Sequence, residues 1–239
     1  MGNFNIEQLL FFPVRESESR KNFLIGTLIY FAGFIIPILP MILVMGYIAR
    51  IMRQVFNGEE LRMPAWDDWE SMLRDGAYIY GVRIIYTLPL LILIAPLFIG
   101  GMFLPLLVDS TNDPNGLVIF FPFLLFGMLM LIIFPLSLAL GIIVPAAEAH
   151  TISKTEFAAG FRVREWWSIF RANLGGFIIA YLIALIASFA LTLVVQIAMM
   201  TIILICILPL IFPAITLYST LVMYAAFAQA YRDGKNKIS

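Results

Sequence analysis

The chain has 239 residues, of which 62% are apolar, 14% aromatic and only 13% charged, with a mean hydropathy of +0.97. Soluble domains run at about 25% charged and 45–50% apolar, so this composition excludes an ordinary soluble domain. The formal net charge is zero and there is one cysteine, Cys206, which excludes a disulfide framework or a thiol metal site within one chain.

The opening "MGNFNIEQLLFFPVRESESRK" lacks a positive start and carries only the short apolar core "LLFFPV", so a signal peptide is not expected. Ile6 stands where a myristoylation motif wants Ser or Thr. Apolar blocks follow at 23–49, 77–108, 117–147 and 174–230, each longer than the ~20 residues that cross a ~30 Å hydrocarbon core. "LLILIAPLFIGGMFLPLLV" is apolar on every face, whereas strands of a membrane barrel alternate. The chain reads as an all-α, polytopic helical membrane protein forming a single membrane domain, 1–239.

Lys and Arg fall in four groups: Arg15 to Lys21, Arg50 to Arg83, Lys154 to Arg171, and Arg232 to Lys237. The connection "VDSTNDPNG" at 109–116 has none. Cytoplasmic loops collect these residues, so all four groups and both termini are expected in the cytoplasm and 109–116 outside, in a multi-pass protein of the cell membrane. The first block must then enter and return, turning at "IIPILPM" near Pro37 and Pro40. Limbs of about 15 residues reach roughly 23 Å, so this hairpin either borrows length from its polar ends or is re-entrant. The last block splits near 198–202. The expected segments are 22–37, 40–55, 77–108, 117–147, 174–199 and 201–230, paired as three hairpins.

An amphipathic interfacial helix is expected before each hairpin, at about 6–20, 64–75 and 156–172. Three of these polar stretches overlay as Ser17-x-x-Arg20-x-Asn22, Ser71-x-x-Arg74-x-Gly76 and Ser168-x-x-Arg171-x-Asn173, with Trp69 and Trp166 in matching places. A threefold internal repeat is therefore expected, a common device in membrane folds.

Within 45–80 the run Gly46-Tyr47-x-x-Arg50, then Gly58-Glu59-Glu60, then Pro64-x-Trp66-Asp67-Asp68-Trp69 and Asp75-Gly76 resembles the signature of the integral membrane family numbered 4013 among the domains of unknown function. Met63 stands where that family usually has Leu. The resemblance implies membrane location and fold; it implies no activity.

Trp66, Trp69, Arg74, Arg162, Arg164, Trp166, Trp167 and Arg171 are the candidate contacts to lipid or to a partner, since indole rings favour headgroup depth and basic side chains the phosphates. Arg83 joins them, either snorkelling to those phosphates or facing the bundle. Glu148 and His150, two apart, fall where the third block leaves the membrane and read as a solvated helix end, with a proton-handling or metal site as the alternative. Asp67 and Asp68 read as helix caps, and Gly100-Gly101 and Gly175-Gly176 as points of close helix approach. Eight prolines, from Pro89 to Pro213, lie in or beside the apolar blocks and read as kinks. Polar residues at membrane depth are few, which fits packing better than a hydrophilic path.

No cofactor, metal or nucleic acid partner is expected, and no catalytic set is assembled. The expected function is a non-enzymatic scaffold, lipid-interacting or partner-binding membrane module, meeting the anionic cytoplasmic leaflet either alone or together with a protein partner or a second copy. The alternatives are a small transporter or channel for apolar or amphiphilic substrates and, less well supported, a lipid-modifying enzyme.

Overall fold

The structure, a computed structural model, describes residues 6–110, 117–200 and 202–238. Among these the chain is helical throughout: α1 (Ile6–Phe11), α2 (Ser17–Ala32), α3 (Leu39–Asn57), α4 (Trp69–Ser110), α5 (Leu117–Lys154), a short 3-10 helix (Phe157–Phe161), α6 (Val163–Ala172), α7 (Leu174–Met199) and α8 (Ile202–Asn236). Five helices are long and apolar enough to cross a membrane, with spans at Leu39–Asn57, Trp69–Gly100, Pro122–Lys154, Leu174–Met199 and Ile211–Asn236. The expected sixth segment, in α2, has only 16 residues. At 1.5 Å per residue it reaches about 24 Å, short of the hydrocarbon core.

Several boundaries differ from the expected ones. The first turn occupies 33–38, just ahead of Pro40, which takes an early position in α3, where its missing N–H costs nothing. Residues 59–65 have no regular secondary structure, so the helix expected over 64–75 begins only at Trp69 and continues without a break through 42 residues. The helix expected over 6–20 is two pieces, α1 and the first turn of α2, divided at Pro13. The stretch 156–172 is a 3-10 turn followed by α6. Of the expected outside connection, 111–116 lie outside the described residues, as does Thr201 in the last turn.

The chain divides into two compact units, residues 1–82 with 145–239, and residues 83–144. In the first, α8 is the hub, touching α1, α2, α3, α6 and α7. Its stretch from Tyr224 to Ala228 is wholly buried, and alanines there let neighbouring backbones approach on every side. The Tyr218 hydroxyl donates to the Leu10 carbonyl at 2.7 Å and ties α1 down.

The second unit consists of the long apolar parts of α4 and α5. Leu91, Phe98, Leu131 and Phe134 are exposed, far more apolar surface than a soluble monomer shows. Two of its hydroxyls are satisfied on their own helices: Thr87 donates to the Arg83 carbonyl and Ser137 to the Phe134 carbonyl, both at 2.8 Å. Gly100 and Gly175 meet nothing within 4 Å, so neither is a point of close approach.

Candidate functional site

The polar residues of the first unit gather into two clasps. The first is built on the segment after α3. Gly58 ends that helix in the left-handed region at φ 72°, which glycine adopts without strain, and turns the chain back over α3. The returning segment is then held at successive carbonyls. Asn22 Nδ2 donates to the Met63 carbonyl at 3.1 Å, the Tyr47 hydroxyl to Pro64 at 2.7 Å, and Arg50 Nη1 to Ala65 at 2.9 Å. Because a segment outside helix and sheet has no internal partners for its carbonyls, these side chains supply them.

Trp66 lies flat on Tyr47, ring centroids 3.9 Å apart, and its indole N–H donates to the Asn22 carbonyl at 2.9 Å. Arg50 also reaches Asp67 Oδ1 at 2.6 Å, a hydrogen bond that, with the guanidinium charge, holds this carboxyl below its ordinary value. Asp68 caps α4, as expected: its carboxylate accepts from the Ser71 hydroxyl and from the Ser71 N–H, the latter at 3.2 Å, which lowers its pKa likewise. Beneath them Asp75 is fully buried between Arg53, which pairs with its Oδ2, and Arg74, 3.3 Å from Oδ1.

α3 and α4 meet backbone to backbone under this clasp. A Cβ on Gly46 would lie 1.7 Å from the Met72 carbonyl oxygen, and one on Gly76 would lie 1.9 Å from that of Ile42. Only glycine fits at either place.

The second clasp joins α5, α6 and α8. Glu148 and His150 are buried, not solvated. The Tyr224 hydroxyl donates to Glu148 Oε2 at 2.7 Å. His150 Nδ1 is 2.7 Å from the Tyr231 hydroxyl, and its Nε2 is 3.2 Å from Glu165 Oε2. Ser153 Oγ donates to the His150 carbonyl at 2.9 Å and lies 3.0 Å from the Tyr231 oxygen. With a neutral ring, Nε2–H donates to Glu165 and Nδ1 accepts from Tyr231. With a charged ring, Nδ1–H donates to Tyr231, whose own proton turns to Ser153. Both states are fully hydrogen-bonded. Desolvation raises the Glu165 carboxyl, but the hydrogen bond from His150 and the nearby Arg162 outweigh it and leave the group below its usual range.

α6 meets the end of α8 much as the start of α4 meets α3. A Cβ on Gly234 would lie 2.5 Å from the Ile169 carbonyl oxygen, and Asn173 Nδ2 donates to the Ala230 carbonyl at 2.9 Å. In the first clasp the corresponding pairs are Gly46 with Met72 and Gly76 with Ile42. Met72 and Ile169 each follow the aligned serine by one residue, and Gly76 and Asn173 by five. Their partners, Ile42 with Gly46 and Ala230 with Gly234, are spaced four apart, one helical turn.

The family profile described as "Protein of unknown function (DUF4013)" matches residues 29–203. The chain belongs to this family. The DUF4013 match takes in the first clasp from Gly46 to Gly76, though not Asn22, and the α5 and α6 parts of the second, and leaves nearly all of α8 outside. No curated protein and no solved structure matches the chain.

The candidate contact residues divide by exposure. Trp69 (49%) and Trp167 (38%) are exposed, as are Arg74, Arg164 and Arg171. Trp166, by contrast, is buried and donates to the Gly160 carbonyl at 3.1 Å, and Trp66 is the ring stacked on Tyr47. Arg162 is engaged with Glu156 and Glu165. Arg83 is half-buried on α4, at the edge of the second unit. Among the described residues, no group of three or more His, Cys, Asp or Glu is placed to hold a metal ion. Sequence reasoning did not single out Ser19, Arg53, Tyr224 or Tyr231, and it placed Asn22 in the repeat without assigning it a contact. The two tyrosines, seven apart in an alanine-rich stretch, carried a usable signal: they share one face of α8 amid residues small enough for close packing.

Proposed function

We propose that the protein is a non-enzymatic multi-pass membrane module whose polar end grips the cytoplasmic leaflet through anionic lipid. The observation that carries this reading is the division of the four tryptophans. Trp66 and Trp166 serve as internal anchors, while Trp69 and Trp167 are exposed on helices that also expose Arg74, Arg164 and Arg171. An exposed indole flanked by guanidinium groups suits the headgroup layer, where the ring is half wet and the cations meet phosphate.

In this reading the four basic groups are cytoplasmic, the α2–α3 pair dips into the membrane without a second full span, and the clasps are related copies of one unit. The matched spacing of Gly46, Met72, Gly76 and Ile42 with Gly234, Ile169, Asn173 and Ala230 supports that relation for two of the three copies. Asn22, the corresponding residue of the first stretch, bonds instead to Met63 of the first clasp.

Lipid-facing rings can be read directly. Four variants each keep one tryptophan and carry phenylalanine at the other three, reconstituted into vesicles of brominated phosphatidylglycerol or brominated phosphatidylcholine. Emission from Trp69 and Trp167 is expected to be quenched, more by the anionic lipid, and that from Trp66 and Trp166 to be spared. Equal, weak quenching at all four positions in both lipids would refute the reading.

A further inference from the structure

A cleft of about 340 Å³ opens in the first unit where the ends of α3, α5 and α8 come together. Its walls carry Arg53, Arg232 and Lys235, the hydroxyls of Ser153, Thr155 and Tyr231, and the amides of Asn57 and Asn236, over a floor of Phe56 and Ile152. No carboxylate is among these lining residues, and every charged group on the walls is a donor without acceptor capacity. The volume is that of a small-molecule site.

The two arginines are held in place. Arg53 is fixed by Asp75 through Nη1, while its Nη2, closed off from solvent, has no acceptor in the protein. Arg232 Nη1 donates to the Val55 carbonyl at 3.1 Å, and its Nε lies 3.8 Å from Asp233. Tyr231 is positioned by His150. At the rim Thr155 has φ 54°, the one positive value among the described non-glycine residues, a conformation that side chains adopt where surrounding structure imposes it.

Basic residues near helix C-termini ordinarily offset the negative end of the dipole, and three such ends converge here. Several of the terminal carbonyls are already engaged, however. Val55 accepts from Gly58 and Arg232, Gln54 from Glu59, Ile152 from Thr155 and Thr151 from Glu156. None of these carbonyls accepts from Arg53 Nη2, which keeps no acceptor in the protein.

We propose that this cleft binds a phosphoryl anion, with Lys235 and Arg232 contacting its oxygens, Arg53 supplying charge behind them, and the Thr155 hydroxyl completing the shell. This goes beyond the lipid contacts of Trp69 and Trp167, which lie on other helices. A phosphate monoester in solution and the headgroup of phosphatidic acid present the same chemistry.

The test uses the full chain, with two probes. Glycerol 3-phosphate is titrated calorimetrically into protein in neutral detergent at constant ionic strength, with sodium chloride and sodium sulfate as controls. Phosphatidic acid is titrated into phosphatidylcholine nanodiscs holding the protein, followed by the rise in melting temperature. Binding of the soluble ester identifies a solute site, and response to the lipid alone identifies a headgroup site; either supports the proposal. Lys235→Gln is expected to weaken the response about tenfold and Lys235→Glu to abolish it, with ligand-free melting unchanged because Lys235 is exposed. No response to either probe, equal response to sulfate, or an undiminished response in Lys235→Glu would overturn it. Quenching at Trp69 and Trp167 is read without this cleft, so the two proposals fail separately.

Discussion

Replacing Gly46 by alanine tests the packing on which the first clasp rests. The new Cβ would lie 1.7 Å from the Met72 carbonyl oxygen, against an ordinary contact of 3.4 Å or more, so α3 and α4 would have to part locally by the difference, 1.7 Å. The opposing atom is backbone, with no flexible side chain to yield. Overpacking typically costs 1–3 kcal/mol, and here about 3 kcal/mol is expected because a helix and not a rotamer must move. The gain in helix propensity from Gly to Ala returns up to about 1 kcal/mol, leaving a net loss of about 2 kcal/mol. For a chain of this size that corresponds to a fall of about 4–8 °C in melting temperature, measured in detergent by intrinsic fluorescence. Gly76→Ala should behave alike, since its Cβ meets the Ile42 carbonyl oxygen at 1.9 Å. Gly100→Ala is the control: nothing lies within 4 Å of that position, so it should melt at or slightly above the parent temperature. If Gly46→Ala and Gly100→Ala melt within about 1 °C of each other, the close approach of α3 and α4 does not exist.

Two further outcomes follow from the charges of the same clasp. Arg53→Met leaves the buried Asp75 carboxylate with only the half-exposed Arg74; breaking a buried pair from one side costs about 3–5 kcal/mol, and Arg74 should reduce that to about 2–3 kcal/mol. Asp75→Leu combined with Arg53→Met should recover part of the loss, and strict additivity of the two single changes in a double-mutant cycle would show that the pair is not coupled. The pH dependence has a definite sign. Asp67 and Asp68 have depressed carboxyl pKa values when folded, so their contribution is present above the ordinary carboxylate value near 4 and is lost as pH falls through the folded values. Melting temperature should drop below about pH 4 in the parent, and less steeply in Asp67→Asn with Asp68→Asn; parallel acid curves would assign the loss to other carboxylates.

The helical membrane class was legible because the bilayer imposes it: blocks of twenty and more apolar residues admit few other solutions. Turns near Pro40 and Met200 were legible for the same reason, since proline and a run change mark where a helix must stop, and Asp68 could be recognised as a cap from its place before an apolar run. The start of α4 was misplaced by several residues, because Pro64 suits a first helical turn as well as an extended segment. What settles it is the set of carbonyls at Met63, Pro64 and Ala65, each taken by a side chain from a distant position. Local propensity carries no trace of partners that lie 15 to 41 residues away.

Glu148 and His150 show the same limit from the other direction. Two residues apart on a helix, they cannot share a partner, and a short acid and histidine pair at a block edge looks like a wet helix end. In the fold each turns to a different tyrosine of α8, Glu148 to Tyr224 and His150 to Tyr231, and those tyrosines are two turns apart on one face. A buried carboxylate or imidazole is costly unless it is hydrogen-bonded, so the four residues are tolerable only as a set. That set fixes Tyr231, just as Asp75 fixes Arg53, and both fixed side chains line the same cleft. The polar groups that looked scattered along an apolar sequence thus lead to one place, where Arg53, Arg232 and Lys235 bring three cations to the walls of one cleft. The two arginines are already ordered by contacts inside the protein, so an anion bound there would meet charges whose ordering cost has been met by folding.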